Sequence, residues 1–149
     1  MSDIPDDFHR LNLPANPFIE LCGPLYGRRD GERLVVGLRV RPQHCNPGKV
    51  CHGGMLMTLA DMALLLSTNV QTGMNSYLLT VQLSTDFLAP APLGSWIESR
   101  VEVLRQTRNL LFSQGLLSID GTPIARISGL FKPLPGERGG PRREPLFAD

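Results

Sequence analysis

The longest apolar segment of the chain runs from His52 to Val70 and has the spacing of a helix. Its large apolar residues recur every three or four positions, and smaller ones extend the apolar surface around most of the circumference. Such a helix is buried on most sides. Asp61 interrupts the segment, and the purely apolar stretches beside it are too short to cross a bilayer. The pattern predicts a core helix that ends near Gly73, where glycine can take the left-handed capping conformation.

Strand-like patterns of apolar and polar residues lie on both sides of this helix. They occupy 25–29 and 33–41 before the helix, and 77–88, 96–107, 110–119 and 124–131 after it. Asp30-Gly31 and Asp120-Gly121 are hairpin signals. The short links after the helix imply antiparallel neighbours. We therefore predict an α+β fold in which a curled antiparallel sheet of about six strands wraps a long central helix.

The stretch 77–88 alternates along its whole length, so we expect it to present two different faces. We expect one face to contain Tyr77, Leu79, Val81, Leu83 and Phe87. We expect the other face to contain Thr80, Gln82, Ser84 and Asp86.

The chain has 149 residues, which is enough for a single domain with a core of ordinary size. Residues 1–21 are rich in proline and contain at most a short helix around 18–21, so we expect an N-terminal arm packed on the domain. The domain itself spans 22–132. Residues 133–149 are rich in proline and arginine, and we expect a flexible tail there.

Charge and cysteine content limit the partners and the compartment. The formal net charge is +1, and most basic residues are scattered, so nothing indicates a nucleic-acid surface. The amino terminus is acidic and has no apolar signal core, which favours a cytoplasmic protein that does not enter a membrane. The three cysteines fit free thiols in a reducing compartment better than a disulfide framework.

The first candidate functional residue is Asp61, because no cation lies one helical turn away to pair with it. It is either a functional carboxylate or a helix residue turned toward a distant arginine. Gly53-Gly54 opens the helix, so the first amides either start a tightly packed helix or form an oxyanion site. Asn46 beside a proline is typical of a turn. His52, at the helix start, is typical of a hydrogen-bonded structural histidine.

Four potential metal ligands, His44, Cys45, Cys51 and His52, lie within nine residues, but their spacing disfavours a metal site. Zinc sites use two close ligands on a knuckle and a distant second pair, whereas the members of each pair here are adjacent in sequence and diverge. A Gly-x-Ser-x-Gly elbow is absent, and no histidine follows His52, so a serine or cysteine hydrolase is not supported. We expect no bound metal.

Two motifs carry a resemblance to a known family. They are His44-x-Asn46-x-x-x-x-x-His52-Gly53-Gly54-x-x-x-x-Leu59-x-Asp61 and Thr80-x-Gln82-Leu83-x-x-x-Phe87-Leu88-x-Pro90. Within residues 34–131 the chain closely resembles the hotdog-fold thioesterases of the phenylacetic-acid-pathway (PaaI) type. The resemblance implies a hotdog fold, hydrolysis of acyl-coenzyme A thioesters, and sheets paired edge to edge in homodimers or in homotetramers made of two dimers. Coenzyme A is then part of the substrate, and no separate cofactor is expected.

The same resemblance implies roles for individual residues. Asp61 becomes the catalytic carboxylate, and the Gly53 amide becomes the donor that polarises the thioester carbonyl. Asn46 becomes a polar partner beside the reacting group. Thr80 lies where the family often has Ser or Thr near the attacking water, and His52 matches the motif with a role in shaping the loop.

The spacing between Gly53 and Asp61 adds a constraint that does not depend on the family. The two residues are eight positions apart on one helix, which is a rise of about 12 Å. Both therefore cannot touch one carbonyl group. The site requires two chains, and a dimer with antiparallel helices would bring Gly53 of one subunit to Asp61 of the other.

Several alternatives remain open from the sequence. Arg108, in the turn between two late strands, lies where similar proteins place a basic residue near the nucleotide end of coenzyme A, but a solvated turn arginine fits equally well. The acyl group is not specified, and Asp61 could activate water or attack directly to form a mixed anhydride. A noncatalytic acyl-coenzyme A binding module would share the fold. A hotdog hydratase or dehydratase would also share it, but would need a catalytic histidine paired with a carboxylate.

Overall fold

The computed structural model describes residues 3–13, 15–74, 76–134 and 145–148, in which one antiparallel sheet curls around a long helix. The elements are β1 (His9–Arg10), α1 (Pro17–Cys22), β2 (Tyr26–Asp30), β3 (Arg33–Arg39), α2 (Gly53–Thr72), β4 (Leu78–Phe87), β5 (Trp96–Gln106), β6 (Leu111–Ile119) and β7 (Thr122–Pro133). The strand order is β1-β2-β3-β5-β6-β7-β4. The predicted fold is confirmed. The sheet has seven strands rather than about six, because the N-terminal arm contributes the two-residue strand β1.

Helix α2 forms the centre of the core. It ends before Gly73, whose φ of 66° is the predicted left-handed cap. Its buried residues, which pack against β3 to β7, are Met55, Leu56, Leu59, Ala60, Met62, Ala63, Leu64, Leu66, Ser67 and Thr68. The helix is long and apolar enough to cross a membrane by length and composition alone, but 56% of that segment is buried inside the fold. Burial of this kind is typical of a core helix.

One stripe of α2 is less completely covered than the rest. Met57, Asp61 and Leu65 lie four residues apart, so they share one helix face, and all three are half-buried. The carboxylate therefore lies on the side of the helix where one copy of the chain covers the core least.

Both hairpin signals mark turns, although one turn is displaced. Asp120 and Gly121 have φ values of 48° and 78° and connect the paired residues Ile119 and Thr122, as expected for a two-residue hairpin. In the first hairpin Asp30 still pairs with Arg33. The turn is therefore made by residues 31 and 32, and the glycine at 31 supplies the positive φ of 60°.

Strand β4 lies at an edge of the sheet, and the predicted division of its faces is wrong in its first half. Pairing with β7 shifts between Thr80 and Gln82, which leaves Val81 as the extra residue of a β-bulge. Thr80 therefore points toward α2, on the same side as Leu83. Leu79 and Val81 are exposed, at 52% and 53%. A bulge reverses the alternation, and the sequence pattern does not reveal it.

Part of the C-terminal end packs on the N-terminal arm. Leu11 and Phe147 form an antiparallel bridge, and the Asn12 N–H donates to the Leu146 carbonyl at 2.8 Å. The predicted flexible tail over 133–149 did not include this contact. Strand β7 extends to Pro133, and the rest of the predicted tail, 135–144 and 149, lies outside the described residues.

Candidate active site

The start of α2 presents a backbone amide that has no acceptor among the residues that the structure describes. His52 is the N-cap residue, and its Nδ1 accepts a hydrogen bond from the Gly54 N–H at 2.9 Å. The amides of Met55 and Leu56 donate to the His52 carbonyl at 2.9 and 3.0 Å. Within the described ranges, the Gly53 N–H donates to no protein group. This amide and the positive end of the helix dipole together favour an oxygen that carries negative charge.

The loop before the helix is built on Asn46. Its Oδ1 accepts from the Gly48 N–H at 2.9 Å and from the Val50 N–H at 3.4 Å, and its own N–H donates to the Val50 carbonyl. This is the turn-forming use of asparagine. Both His52 and Asn46 therefore shape the approach to Gly53, and the hydrogen bonds described for Asn46 stay within the loop.

Asp61 and Thr80 form the polar pair of the site. The Thr80 hydroxyl donates to Asp61 Oδ1 at 2.6 Å. In the described part of the chain, no ion pair reaches Asp61 and its other oxygen accepts no hydrogen bond. The bulge at Val81 makes this pair, because it turns Thr80 toward the helix.

His44 has a structural role. It is buried, the Arg41 N–H donates to its Nδ1 at 3.0 Å, and its Nε2 lies 2.6 Å from the Cys22 carbonyl. The first bond makes Nδ1 an acceptor, so the ring is neutral and Nε2 is the donor. Burial lowers the pKa of His44, and the Arg41 charge adds to that effect. Both ring nitrogens are therefore occupied by backbone groups, and neither pairs with a carboxylate.

A shallow cavity of about 290 Å³ opens beside the helix start. Its walls are Cys51, Gly53, Leu56, Phe87, Leu88, Ala89, Pro90 and Ala91. A side-chain carbon added at Gly53 would lie 3.3 Å from the Phe87 ring, so that ring covers the helix start closely. The residues that line the cavity are mostly apolar, and Gly53 at the helix start is one of them.

Arg108 lies away from the polar pair. Four paired residues lead across the sheet from the polar pair to the end of β5, just before Arg108. They are Thr80 on β4, Phe131 on β7, Leu111 on β6 and Gln106 on β5. Three strand spacings amount to about 14 Å, so the turn that carries Arg108 lies at the Thr80 end of the sheet but several strands away. The side chain is exposed.

The four potential metal ligands do not form a metal site. Among the described residues, no group of three or more His, Cys, Asp or Glu side chains is arranged to hold a metal ion. The two nitrogens of His44 bond to backbone groups, and Nδ1 of His52 caps the helix.

Comparison with known proteins gives the class of protein. A model of the thioesterase superfamily matches residues 48–122. The Pseudomonas aeruginosa protein PA0474, provisionally named as an esterase, is 34% identical over 132 residues, which is 88% of this chain and 98% of that protein. Mouse acyl-coenzyme A thioesterase 13 is 29% identical over 86 residues, 55% of this chain and 58% of that protein.

A solved structure agrees with these relatives. A variant of the phenylacetic acid degradation protein PaaI from Thermus thermophilus superposes with a TM-score of 0.69 at 25% identity, over 80% of this chain and 100% of that one. The chain belongs to the thioesterase superfamily, with the hotdog fold. It is a thioester hydrolase, and the resemblance to the PaaI-type proteins is confirmed.

Sequence reasoning missed two features of this site. The first is the contact of Phe87 with the helix start: the sequence predicts a strand face and a motif position for Phe87, but not that its ring lies against Gly53. The second is the inward direction of Thr80, which depends on a bulge. One signal in the sequence could have indicated this bulge. Regular alternation through Val81 turns Thr80 away from the apolar face, whereas the resemblance places Thr80 near the catalytic carboxylate, and only a break in the alternation satisfies both.

Proposed function

We propose that the protein hydrolyses acyl-coenzyme A thioesters at a site shared by two subunits. Thioester hydrolysis follows from the family, and the named mouse relative supports coenzyme A as the thiol. The observation that carries the proposal is the Asp61 carboxylate held by Thr80 at 2.6 Å on the least covered face of the helix. The free Gly53 amide at the helix start supplies the second requirement, an oxyanion donor.

The proposed chemistry assigns one task to each group. The thioester carbonyl oxygen lies against the Gly53 N–H, where negative charge is stabilised as the carbonyl carbon becomes tetrahedral. Asp61 takes a proton from water, whose oxygen adds to that carbon, and collapse then breaks the C–S bond and releases the thiolate, which is protonated to the free thiol. In the alternative route Asp61 itself attacks, forming a mixed anhydride that water cleaves. Thr80 orients the carboxylate in both routes.

The two subunits are required by the length of the helix. Gly53 and Asp61 differ in rise by about 12 Å, so one carbonyl group cannot reach both groups of a single chain. Strand β4 offers a natural surface for a second copy, because it is a sheet edge with exposed apolar side chains. These are Leu79 at 52%, Val81 at 53% and Phe87 at 52% exposure, and Tyr77, just before the strand, is 63% exposed. We propose a homodimer joined along β4, with a homotetramer formed when two such dimers associate.

The remaining site residues have supporting roles in this proposal. Asn46 and His52 position the loop and the first turn of the helix, so they act through Gly53. Arg108 lies at the Thr80 end of the sheet, where its charge can meet the phosphates at the nucleotide end of coenzyme A. The apolar cavity beside Gly53 takes part of the acyl thioester chain.

The test is release of free thiol from short, medium, long and aromatic acyl-coenzyme A substrates. Asp61→Asn should lower the turnover rate by about 10²–10⁴-fold, because it removes the group that accepts the proton. Asp86→Asn is the matched control, since Asp86 is an exposed carboxylate on the same strand as Thr80, paired with Arg126. That variant should keep nearly the full rate.

Two results would contradict the proposal. If the wild type binds these substrates but releases no thiol from any of them, coenzyme A thioesters are not its substrates. If Asp61→Asn and Asp86→Asn are equally active, Asp61 does not carry out the chemistry.

A further inference from the structure

Cys45 and Cys51 face each other across the loop that leads into α2. They form an isolated antiparallel bridge, with one backbone hydrogen bond on each side of it. The Asn46 N–H donates to the Val50 carbonyl at 2.9 Å, and the His52 N–H donates to the His44 carbonyl at 2.7 Å. This arrangement of flanking bonds defines a non-hydrogen-bonded pair, in which the Cα atoms are about 4.5 Å apart and the side chains lie on one side. Disulfides span Cα separations of about 4.4–6.8 Å, so the backbone suits a cross-link.

The surroundings of the two thiols differ. Cys51 is 5% exposed and Cys45 is half-buried, and both pack on the same apolar core. Burial raises the pKa of Cys51 to about 11, and the nearby Cys45 thiol adds to that effect. In the reduced state the Cys45 thiol donates to the Arg41 carbonyl at 3.5 Å and the Cys51 thiol to the His52 carbonyl at 3.8 Å. Bond formation therefore requires side-chain rotation, and the more exposed Cys45 is the one that a reagent meets first.

We propose that Cys45 and Cys51 form a reversible disulfide that closes the base of this loop. With a small-molecule disulfide such as oxidised glutathione, the Cys45 thiol loses its proton to water, and its thiolate attacks one sulfur and displaces the first glutathione thiolate, which takes the proton of Cys51. The Cys51 thiolate then attacks the Cys45 sulfur and displaces the second glutathione thiolate, which takes a proton from water. Two protein thiols are oxidised, and one glutathione disulfide is reduced to two thiols.

The bond would change the candidate active site, an inference that rests on the proposed function. Cys51 lines the cavity and precedes His52, the N-cap, and Gly53, the amide donor. Cβ atoms of facing residues lie about 4.5–5.5 Å apart, whereas a disulfide brings them to about 3.8 Å. The loop end must move by roughly 1 Å, a displacement that can cost about 10²-fold in rate when it misplaces a reacting group. We expect the oxidised protein to be at least about tenfold slower, with the rate restored by dithiothreitol.

The bond can be mapped without any activity measurement. The full-length protein is treated with oxidised glutathione, its remaining thiols are alkylated, and it is digested with trypsin. Lys49 lies between the two cysteines, and Arg28 and Arg39 separate Cys22 from Cys45, so each cysteine falls in a different peptide. We expect a covalent link between the peptide that contains Cys45 and the one that contains Cys51, with Cys22 alkylated. Cys22→Ser should retain the link, and Cys45→Ser should lose it while leaving a folded protein by circular dichroism.

The outcomes separate this proposal from the proposed function. A link that includes Cys22, stable glutathione adducts alone, or three alkylated cysteines would overturn the disulfide whatever the enzyme's activity. A Cys45–Cys51 link with an unchanged hydrolysis rate would refute the inference that the disulfide lowers the activity of the site. A link that forms in a protein inactive on every acyl-coenzyme A would support the modification site and contradict the substrate.

Discussion

Replacement of Gly53 by proline removes one backbone N–H and little else. Gly53 is the first residue of α2, a position where proline is common because the helix does not use that N–H. The preceding residue, His52, has φ −60° and ψ 138°, the extended conformation that a following proline requires. Gly53→Pro therefore keeps the helix and deletes the proposed oxyanion donor.

The expected loss follows from that single donor. Removal of one oxyanion-hole hydrogen bond costs about 2.7–4 kcal/mol, so the turnover rate of Gly53→Pro should fall by about 10²–10³-fold. Gly53→Ala is the matched control, because it adds a similar carbon but keeps the N–H. The added carbon would lie 3.3 Å from the Phe87 ring, so the ring needs to shift by only a few tenths of an ångström. The alanine variant should therefore retain most of the wild-type rate.

Mixed dimers test whether the site is shared. When Gly53→Pro and Asp61→Asn subunits are co-folded in equal amounts, half of the dimers contain one of each. Each mixed dimer has one site with both groups intact and one site with neither, so the mixture should reach about a quarter of the wild-type rate. The assay is thiol release from the best acyl-coenzyme A, with each variant folded alone as the reference. A mixture no more active than the average of its components would refute a site built from two chains.

Three further outcomes are expected. Thr80→Val removes the hydrogen bond to Asp61 and should lower kcat about tenfold. A hydrogen bond to a charged acceptor contributes about 1.5–3 kcal/mol, and the lower end of that range applies because this bond is exposed. An unchanged kcat would show that Thr80 has no part in the mechanism. Burial lowers the pKa of His44 below 6.5, so the unfolded state binds a proton more readily than the folded state, and the free energy of unfolding falls as the pH drops below about 6.5. As the pH is lowered through this range, the urea midpoint of the wild type should therefore fall more steeply than that of His44→Gln. Equal slopes of midpoint against pH would contradict this prediction. A side-chain carbon at residue 115 would overlap the Arg100 carbonyl oxygen of the neighbouring strand. Gly115→Ala should therefore lower the free energy of unfolding, measured in urea, by ~3 kcal/mol or more. A variant as stable as the wild type would show that β5 and β6 can move apart at this position.

The parts of the fold that follow from local rules could be predicted from the sequence. The apolar run gave the central helix, and Gly73 marked its end, because both depend on residues within one element. The Asp120-Gly121 turn was predicted at the right place, since both residues accept positive φ. Asp61 stood out because its charge is unpaired within its own helix. Such features need no knowledge of the tertiary structure.

The parts that depend on pairing between distant segments could not be predicted. The bulge at Val81 arises from the register of β4 with β7, and it reverses which face Thr80 joins. An apolar alternation through exposed residues such as Leu79 looks the same as one that faces the core. The contact between Leu11 and Phe147 joins opposite ends of the chain, and no local pattern marks it. In each case the conformation of one segment depends on contacts with another segment that is distant in sequence.

The two edge strands of the sheet, β1 and β4, differ in length and in how far other parts of the chain cover them. At one edge β1 has two residues, and the bridge from Leu11 to Phe147 continues the cover with the end of the chain. At the other edge the ten-residue strand β4 pairs, among the described residues, with β7 alone, and several of its large apolar side chains are exposed. A long exposed edge is a template for non-native strand pairing, so in the proposed dimer the second copy would also protect this edge from aggregation. If the subunits pair along β4 as proposed, dilution that separates them should lower the melting temperature of the protein as well as its activity.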